Sequence, residues 1–170
     1  MSTTPLPPLV VMGVSGCGKS TIGSLLGAQL GMPFQDGDDL HPAANKAKMG
    51  AGIPLDDSDR KPWLEEIGRT LRASMDQGAP SIIACSALKR SYRELLRTHV
   101  PNVVFVHLHG DRETLLARMN ARDHEFMPSS LLDSQLSTLE PLADDEKHVL
   151  ADFNLAPDVL VEKISGQLAA

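Results

Sequence analysis

Gly13, Gly18, Lys19 and Ser20 occupy the fixed positions of the pattern G-x-x-x-x-G-K-[ST], filled here as GVSGCGKS. Glycines at these places let backbone N–H groups close around phosphate oxygens, because no Cβ blocks the approach and the chain can adopt positive φ. Lys19 is then the residue to reach β and γ phosphates, and the Ser20 hydroxyl the one to bind Mg²⁺. Val14, Ser15, Gly16 and Cys17 fill the loop and Thr21 follows it, so residues 13–21 form the expected cradle for ATP. A second chemical set is Asp36-Gly37-Asp38-Asp39. One carboxylate can complete a metal shell while another accepts the proton of an attacking hydroxyl. Residues two apart on an extended segment face the same way, which assigns Asp36 to the metal and Asp38 to the acceptor. His41, two residues past this cluster, is expected to touch the substrate. Arg60 sits in the first turn of a helix, where cations are disfavoured, and reads as a clamp for an anion or polyol. Arg118 and Arg122 lie near the tip of a helical pair, where guanidinium groups can hold nucleotide and neutralise charge on a transferring phosphoryl group.

These groups need a frame that brings them to one edge. An apolar run at 9–12 precedes the glycine loop, and Ile22, Leu25, Leu26 and Leu30 recur at helical spacing after it, with Gly31 as the stop. Further extended segments are expected at 33–35, 81–84, 103–108 and 149–153. Trp63, Leu64, Ile67, Leu71 and Met75 mark a long amphipathic helix opening at 56–59, and Leu160, Val161, Ile164 and Leu168 mark the last one. Strands alternating with helices imply a five-stranded parallel sheet with right-handed crossovers, and ligands sit at the carboxyl ends of such strands. The expected organisation is a frayed leader at 1–8 and one α/β P-loop domain at 9–170. That domain includes a mobile substrate cap at 40–60 and a helical lid at about 118–139.

The composition narrows the partners. Of 170 residues, 42% are hydrophobic and 22% charged, which is globular, and the 4% aromatic share requires an aliphatic core. A formal net charge of −6 argues against nucleic-acid or membrane-surface binding, which needs a basic excess. Any anion must therefore be caught locally. Cys17 and Cys85 have no metal or disulfide spacing, and the first residues lack the signature of a secretory signal, so a cytoplasmic protein is expected.

The segments DGDDLHP at 36–42, NKAKM at 45–49, GIPLDDSDRKPWL at 52–64, CSALKRSYRELLR at 85–97 and ARDHEFMPSSLLDSQLSTLE at 121–140 together resemble the small P-loop gluconate kinases. Those enzymes are related to shikimate and nucleoside monophosphate kinases. The resemblance implies transfer of the ATP γ-phosphoryl group to the 6-hydroxyl of D-gluconate, and a homodimer. It also implies an acceptor site that draws on Asp36, Asp38, Arg60 and the Ser86 to Lys89 stretch, and it adds Arg93 and Gln135 to the substrate residues. Cys17 departs from the usual serine of the loop. A shikimate kinase is the main rival, although Cys85-Ser86-Ala87 replaces the glycine triplet expected there. A nucleotide-dependent switch module would need N-K-x-D, and Asn45-Lys46-Ala47-Lys48 fails at the last position.

Overall fold

The computed structural model describes residues 6–14, 17–53, 55–120 and 129–169. In chain order the elements are β1 (Leu9–Met12), α1 (Lys19–Leu30), β2 (Phe34–Asp36), a 3-10 turn (Gly37–Leu40), α2 (Ala43–Gly50), α3 (Asp57–Asp76) and β3 (Ile82–Ala84). They continue with α4 (Arg90–His99), β4 (Val104–His109), α5 (Arg112–Asn120), α6 (Ser129–Thr138), β5 (His148–Asp152) and α7 (Pro157–Ala169). The five expected strands form one parallel sheet in the order β2-β3-β1-β4-β5, with boundaries shifted by a residue or so.

All four residues of β1 are buried because it is central, with Leu9 opposite both Ile82 and Val104. Alternate β1 side chains go to opposite faces, as the strand period requires. Leu9 and Val11 join Ile22, Leu26, Val106 and Ile164 under α1 and α7, whereas Val10 and Met12 join Leu64, Ile67, Leu96 and Phe105 under α3 and α4. The core is aliphatic on both sides. The glycine loop and the Asp36–Asp39 turn lie at the carboxyl ends of β1 and β2.

Two expectations about mobile ends change in detail. Leu6 packs against the first core layer, and the Pro8 carbonyl accepts from Val104 N at 3.1 Å, so the end of the expected leader is bound to β4. Residues 1–5 lie outside the described residues. In the cap, α2 is fastened to the start of α3: Lys48 Nζ donates to both Asp59 carboxylate oxygens at 2.9 and 2.8 Å, and Asn45 Nδ2 to the Asp59 carbonyl at 2.8 Å. Asp59 completes a capping box with Asp56, which explains the sharp start of α3. In the expected lid, Arg112 on α5 holds Asp133 on α6 at 2.6 Å. Among the described residues, no helix is long and apolar enough to cross a membrane.

Candidate active site

The glycine loop leaves β1 at Gly13, whose φ of 149° suits glycine and where a Cβ would meet Cys17 Sγ at 2.7 Å and the Leu108 carbonyl at 2.9 Å. Gly18, at φ 94°, caps α1, which starts at Lys19 and aims its N-terminal dipole at the loop. Lys19 Nζ donates to the carbonyls of Gly13 at 3.0 Å and Val14 at 3.2 Å, curling over the loop it belongs to. Ser15 and Gly16 lie outside the described residues, and Thr21 is exposed one step beyond Ser20. The Cys17 thiol is buried, and that burial pushes its pKa up despite Lys19, so it stays a neutral packing group. Substitution of the usual serine is thereby harmless to the loop.

Ser20 Oγ donates to Asp36 Oδ2 at 2.8 Å, joining a hydroxyl and a carboxylate from opposite ends of the expected metal site. The other Asp36 oxygen accepts the Asp38 N–H at 3.0 Å. That bond corrects the geometry expected for Asp36 and Asp38. They do not share a face of one extended segment, because the chain turns into a 3-10 helix at Gly37 and Asp36 is its N-cap. Asp36 points back to Ser20 while Asp38 projects from the first turn with 80% of its side chain exposed. A Cβ on Gly37 would come within 2.3 Å of the Ala84 carbonyl, so the turn can lie close against β3 only with glycine there. Trp63 Nε1 fixes the same turn by donating to the Gly37 carbonyl at 2.7 Å. Although most of the Asp38 side chain meets solvent, partial desolvation by the protein around it, and then the Asp36 charge, hold its carboxyl above the usual range, with His41 and Lys19 opposing.

His41 is buried and stacks on Trp63, its Nε2 3.9 Å from Asp38 Oδ1. At the start of α3, Arg60 Nη1 donates to Tyr92 Oη at 3.3 Å, and the Tyr92 hydroxyl donates to Asp57. Lys89 Nζ holds the same Asp57 carboxylate at 3.0 Å and lies 5.5 Å from the Tyr92 ring centroid. Two cations from segments 29 residues apart thus converge on one phenol. The Tyr92 hydroxyl, and then Lys89, keep Asp57 below the usual carboxylate range. Ser86 is half-buried at the tip of β3, its carbonyl accepting from Gly13 N at 3.3 Å, which ties the acceptor side to the phosphate loop.

Arg93 requires a correction. It is fully buried and does not face the cleft. Its guanidinium bonds Glu146 at 2.7 Å and the carbonyls of Ala87 at 2.9 Å and Glu140 at 2.9 Å. Ala87 has a φ of 47°, a left-handed conformation uncommon outside glycine, and Arg93 is the group that holds its carbonyl in place. The residue therefore shapes the tip of β3 from beneath. Glu146 is a near-neighbour in this network: burial pushes its carboxyl up, but Arg93, the Ala143 N–H and Arg97 outweigh that and bring it to about 2.

Arg118 reaches from α5 to the carbonyls of Cys17 at 3.3 Å and Phe153 at 2.7 Å, and its guanidinium lies 4.9 Å from the Phe153 ring centroid. It bridges the phosphate loop to the turn after β5. Gln135 is half-buried on α6, and Arg122 lies outside the described residues. Trp63, Tyr92, Asn45 and Asp57 were not expected at the site. The chain has one tryptophan and one tyrosine, and the placing of both beside charged segments was the available signal.

A family model described as shikimate kinase matches residues 15–167. A gluconokinase from Gluconobacter oxydans is 47% identical, spanning 92% of this chain and 88% of its own. The thermosensitive gluconokinase of Escherichia coli is 49% identical over 85% of this chain and 78% of its own. The crystal structure of a gluconokinase from Sinorhizobium meliloti superposes with a TM-score of 0.88 at 44% identity, covering 98% of this chain and 94% of that one.

Proposed function

Because the chain belongs to the shikimate kinase domain family and, within it, to the gluconokinases, we propose that it transfers the γ-phosphoryl group of ATP to the 6-hydroxyl of D-gluconate. What supports this reading is the hydrogen-bonded run from Ser20 through Asp36 to Asp38 at the end of β2, together with the convergence of Arg60 and Lys89 on Tyr92. Gly13 leaves no room for a Cβ, which would meet Cys17 Sγ and the Leu108 carbonyl, so this position keeps the glycine that a backbone phosphate cradle needs. A hydroxyl and a carboxylate are hard oxygen donors of the kind Mg²⁺ prefers. Ser20 and Asp36 would hold that ion, whose chemistry is to neutralise charge on the phosphate oxygens.

Lys19 leaves its own carbonyls to bind phosphate oxygens, and Arg118 orients the nucleotide from the other side of the loop. Asp38 accepts the proton as the acceptor oxygen forms its bond to phosphorus and the bond to the β-phosphate oxygen breaks. Arg60 and Lys89 recognise the acceptor's carboxylate and hydroxyls, with Ser86 and His41 lining the same cleft. Arg122 is assigned to the lid's stabilisation of the transferring group. The same resemblance carries the expectation of a homodimer, which light scattering tests, while the cysteine spacing carries that of a cytoplasmic protein. A coupled assay of ADP release across gluconate, shikimate and neutral sugars is expected to show turnover with gluconate. Turnover of shikimate with none of gluconate would overturn the reading.

A further inference from the structure

His41 and Asn45 carry more than contact with a substrate. Asn45 is 3% exposed, and its Nδ2 lies 2.8 Å from the backbone carbonyl of Asp59 and 3.2 Å from His41 Nδ1. A backbone carbonyl can only accept, so the Asn45 atom facing it has to be the amide NH₂. The second N–H of that group then points at His41 Nδ1, which accepts it. A neutral imidazole that accepts at Nδ1 carries its proton on Nε2. Nε2 is the nitrogen that faces Asp38, at 3.9 Å. The ring cannot swing away, because it stacks on Trp63 with centroids 4.1 Å apart and planes 15° from parallel.

We propose that Asn45 is a positioning residue that fixes His41 as its Nε2–H tautomer, so that a neutral N–H donor faces the Asp38 carboxylate and the acceptor hydroxyl. The proposal rests on the reading of Asp38 as the proton acceptor. Neutrality matters, since an imidazolium would pair with the Asp38 carboxylate that the acceptor hydroxyl has to reach. The surroundings favour the neutral ring: burial acts first, Arg60 from α3 and Lys46 from α2 act the same way, and Asp38 opposes them, leaving the His41 pKa below its ordinary value. At 3.9 Å the donor does not consume an Asp38 lone pair. It remains available to a hydroxyl seated between the two side chains.

The test is a long-range ¹H–¹⁵N correlation spectrum of the full-length protein labelled in histidine, with His41 assigned by its loss in His41→Gln. At pH 7.5 the wild type is expected to show a neutral ring protonated at Nε2. Asn45→Asp replaces a donor by an acceptor, so the tautomer should reverse, kcat should fall about tenfold with the ATP KM unchanged, and the acid limb of kcat should move to higher pH. His41→Gln, which keeps an N–H where Nε2 stood, should retain most of the turnover that the shorter His41→Asn loses. An Nδ1-protonated or charged His41 in the wild type, an unchanged tautomer in Asn45→Asp, or equal activity of the two His41 variants would each overturn the proposal. If Asn45→Asp fails to fold, the wild-type spectrum and the His41 pair still decide. The spectrum needs no substrate, so an Nε2-protonated ring in a protein that ignores gluconate would strike the proposed function alone.

Discussion

The phosphate half and the acceptor half of the site are built in different ways. The first is almost continuous in sequence: the proposed cradle, lysine and hydroxyl all fall within 13–20, and Asp36 and Arg118 join them from a distance. The second is gathered from Asp38 and His41 after β2, Arg60 on α3, and Lys89 and Tyr92 at the start of α4. Backbone geometry makes the first half, so glycine is its critical residue. Side-chain packing makes the second, so it depends on residues that touch no ligand, with Trp63 beneath the Asp38 turn and Arg93 beneath the tip of β3.

The sharpest way to test that division is to damage each half in turn. Lys19→Ala should lower kcat by roughly 10³-fold, and Asp38→Asn by about 10²–10⁴-fold, both with an unchanged melting temperature. A variant Asp38→Asn that keeps most of its kcat would remove the proton acceptor from its role. Arg93→Met should act on the scaffold, because it strands the buried Glu146, and urea titration is expected to show a loss of about 3–5 kcal/mol. The double variant Arg93→Met with Glu146→Leu should recover much of that loss. If Arg93→Met instead leaves stability alone and raises the gluconate KM, the assignment of Arg93 to the framework fails.

Smaller effects separate the halves further. Arg60→Ala should raise the gluconate KM about 10–100-fold, the worth of a charge-assisted hydrogen bond, and leave the ATP KM in place. Equal rises in both would mean that the two halves are not independent. Acid titration of the folded protein addresses the framework alone. His107 is buried in β4, and burial, His109 and nearby cations lower its pKa to about 4. Its native pKa lies below the unfolded value, so its contribution is complete above pH 6.5 and is lost as pH falls toward 4. The loss should be on the order of 1–3 kcal/mol by denaturant titration, and His107→Leu should abolish it. Glu146 follows at lower pH, its share being complete above about 4.5 and lost as pH approaches 2.

Legibility in the sequence follows the same division. The parallel α/β fold was readable because strand and helix periods alternate and the loop at 13–20 has fixed spacing. The Ser20–Asp36 pairing followed from the rule that ligands gather at strand ends. Arg60 stands out in the sequence as a cation at a helix start and Lys89 through the resemblance of its segment, and their shared contact with Tyr92 joins two segments that no spacing connects. Arg93 was not, because RSYRELLR reads as an ordinary charged helix and the buried partner stands 53 residues away. Asn45 was hidden for a similar reason: its role comes from a bond to the Asp59 backbone, which no side-chain pattern announces. The misjudged Asp36–Asp38 geometry had a local cause, since an N-cap aspartate is also what begins a tight turn.

The stack of Trp63 on His41 also gives the protein an optical handle. Trp63 is the chain's single indole, so all tryptophan emission originates within one ring's width of the acceptor cleft. A neutral imidazole is a weak quencher of indole fluorescence and a protonated one a strong quencher. Emission against pH should therefore follow the protonation of His41, and emission against added gluconate is expected to report binding at the proposed acceptor site, in the unlabelled wild-type chain.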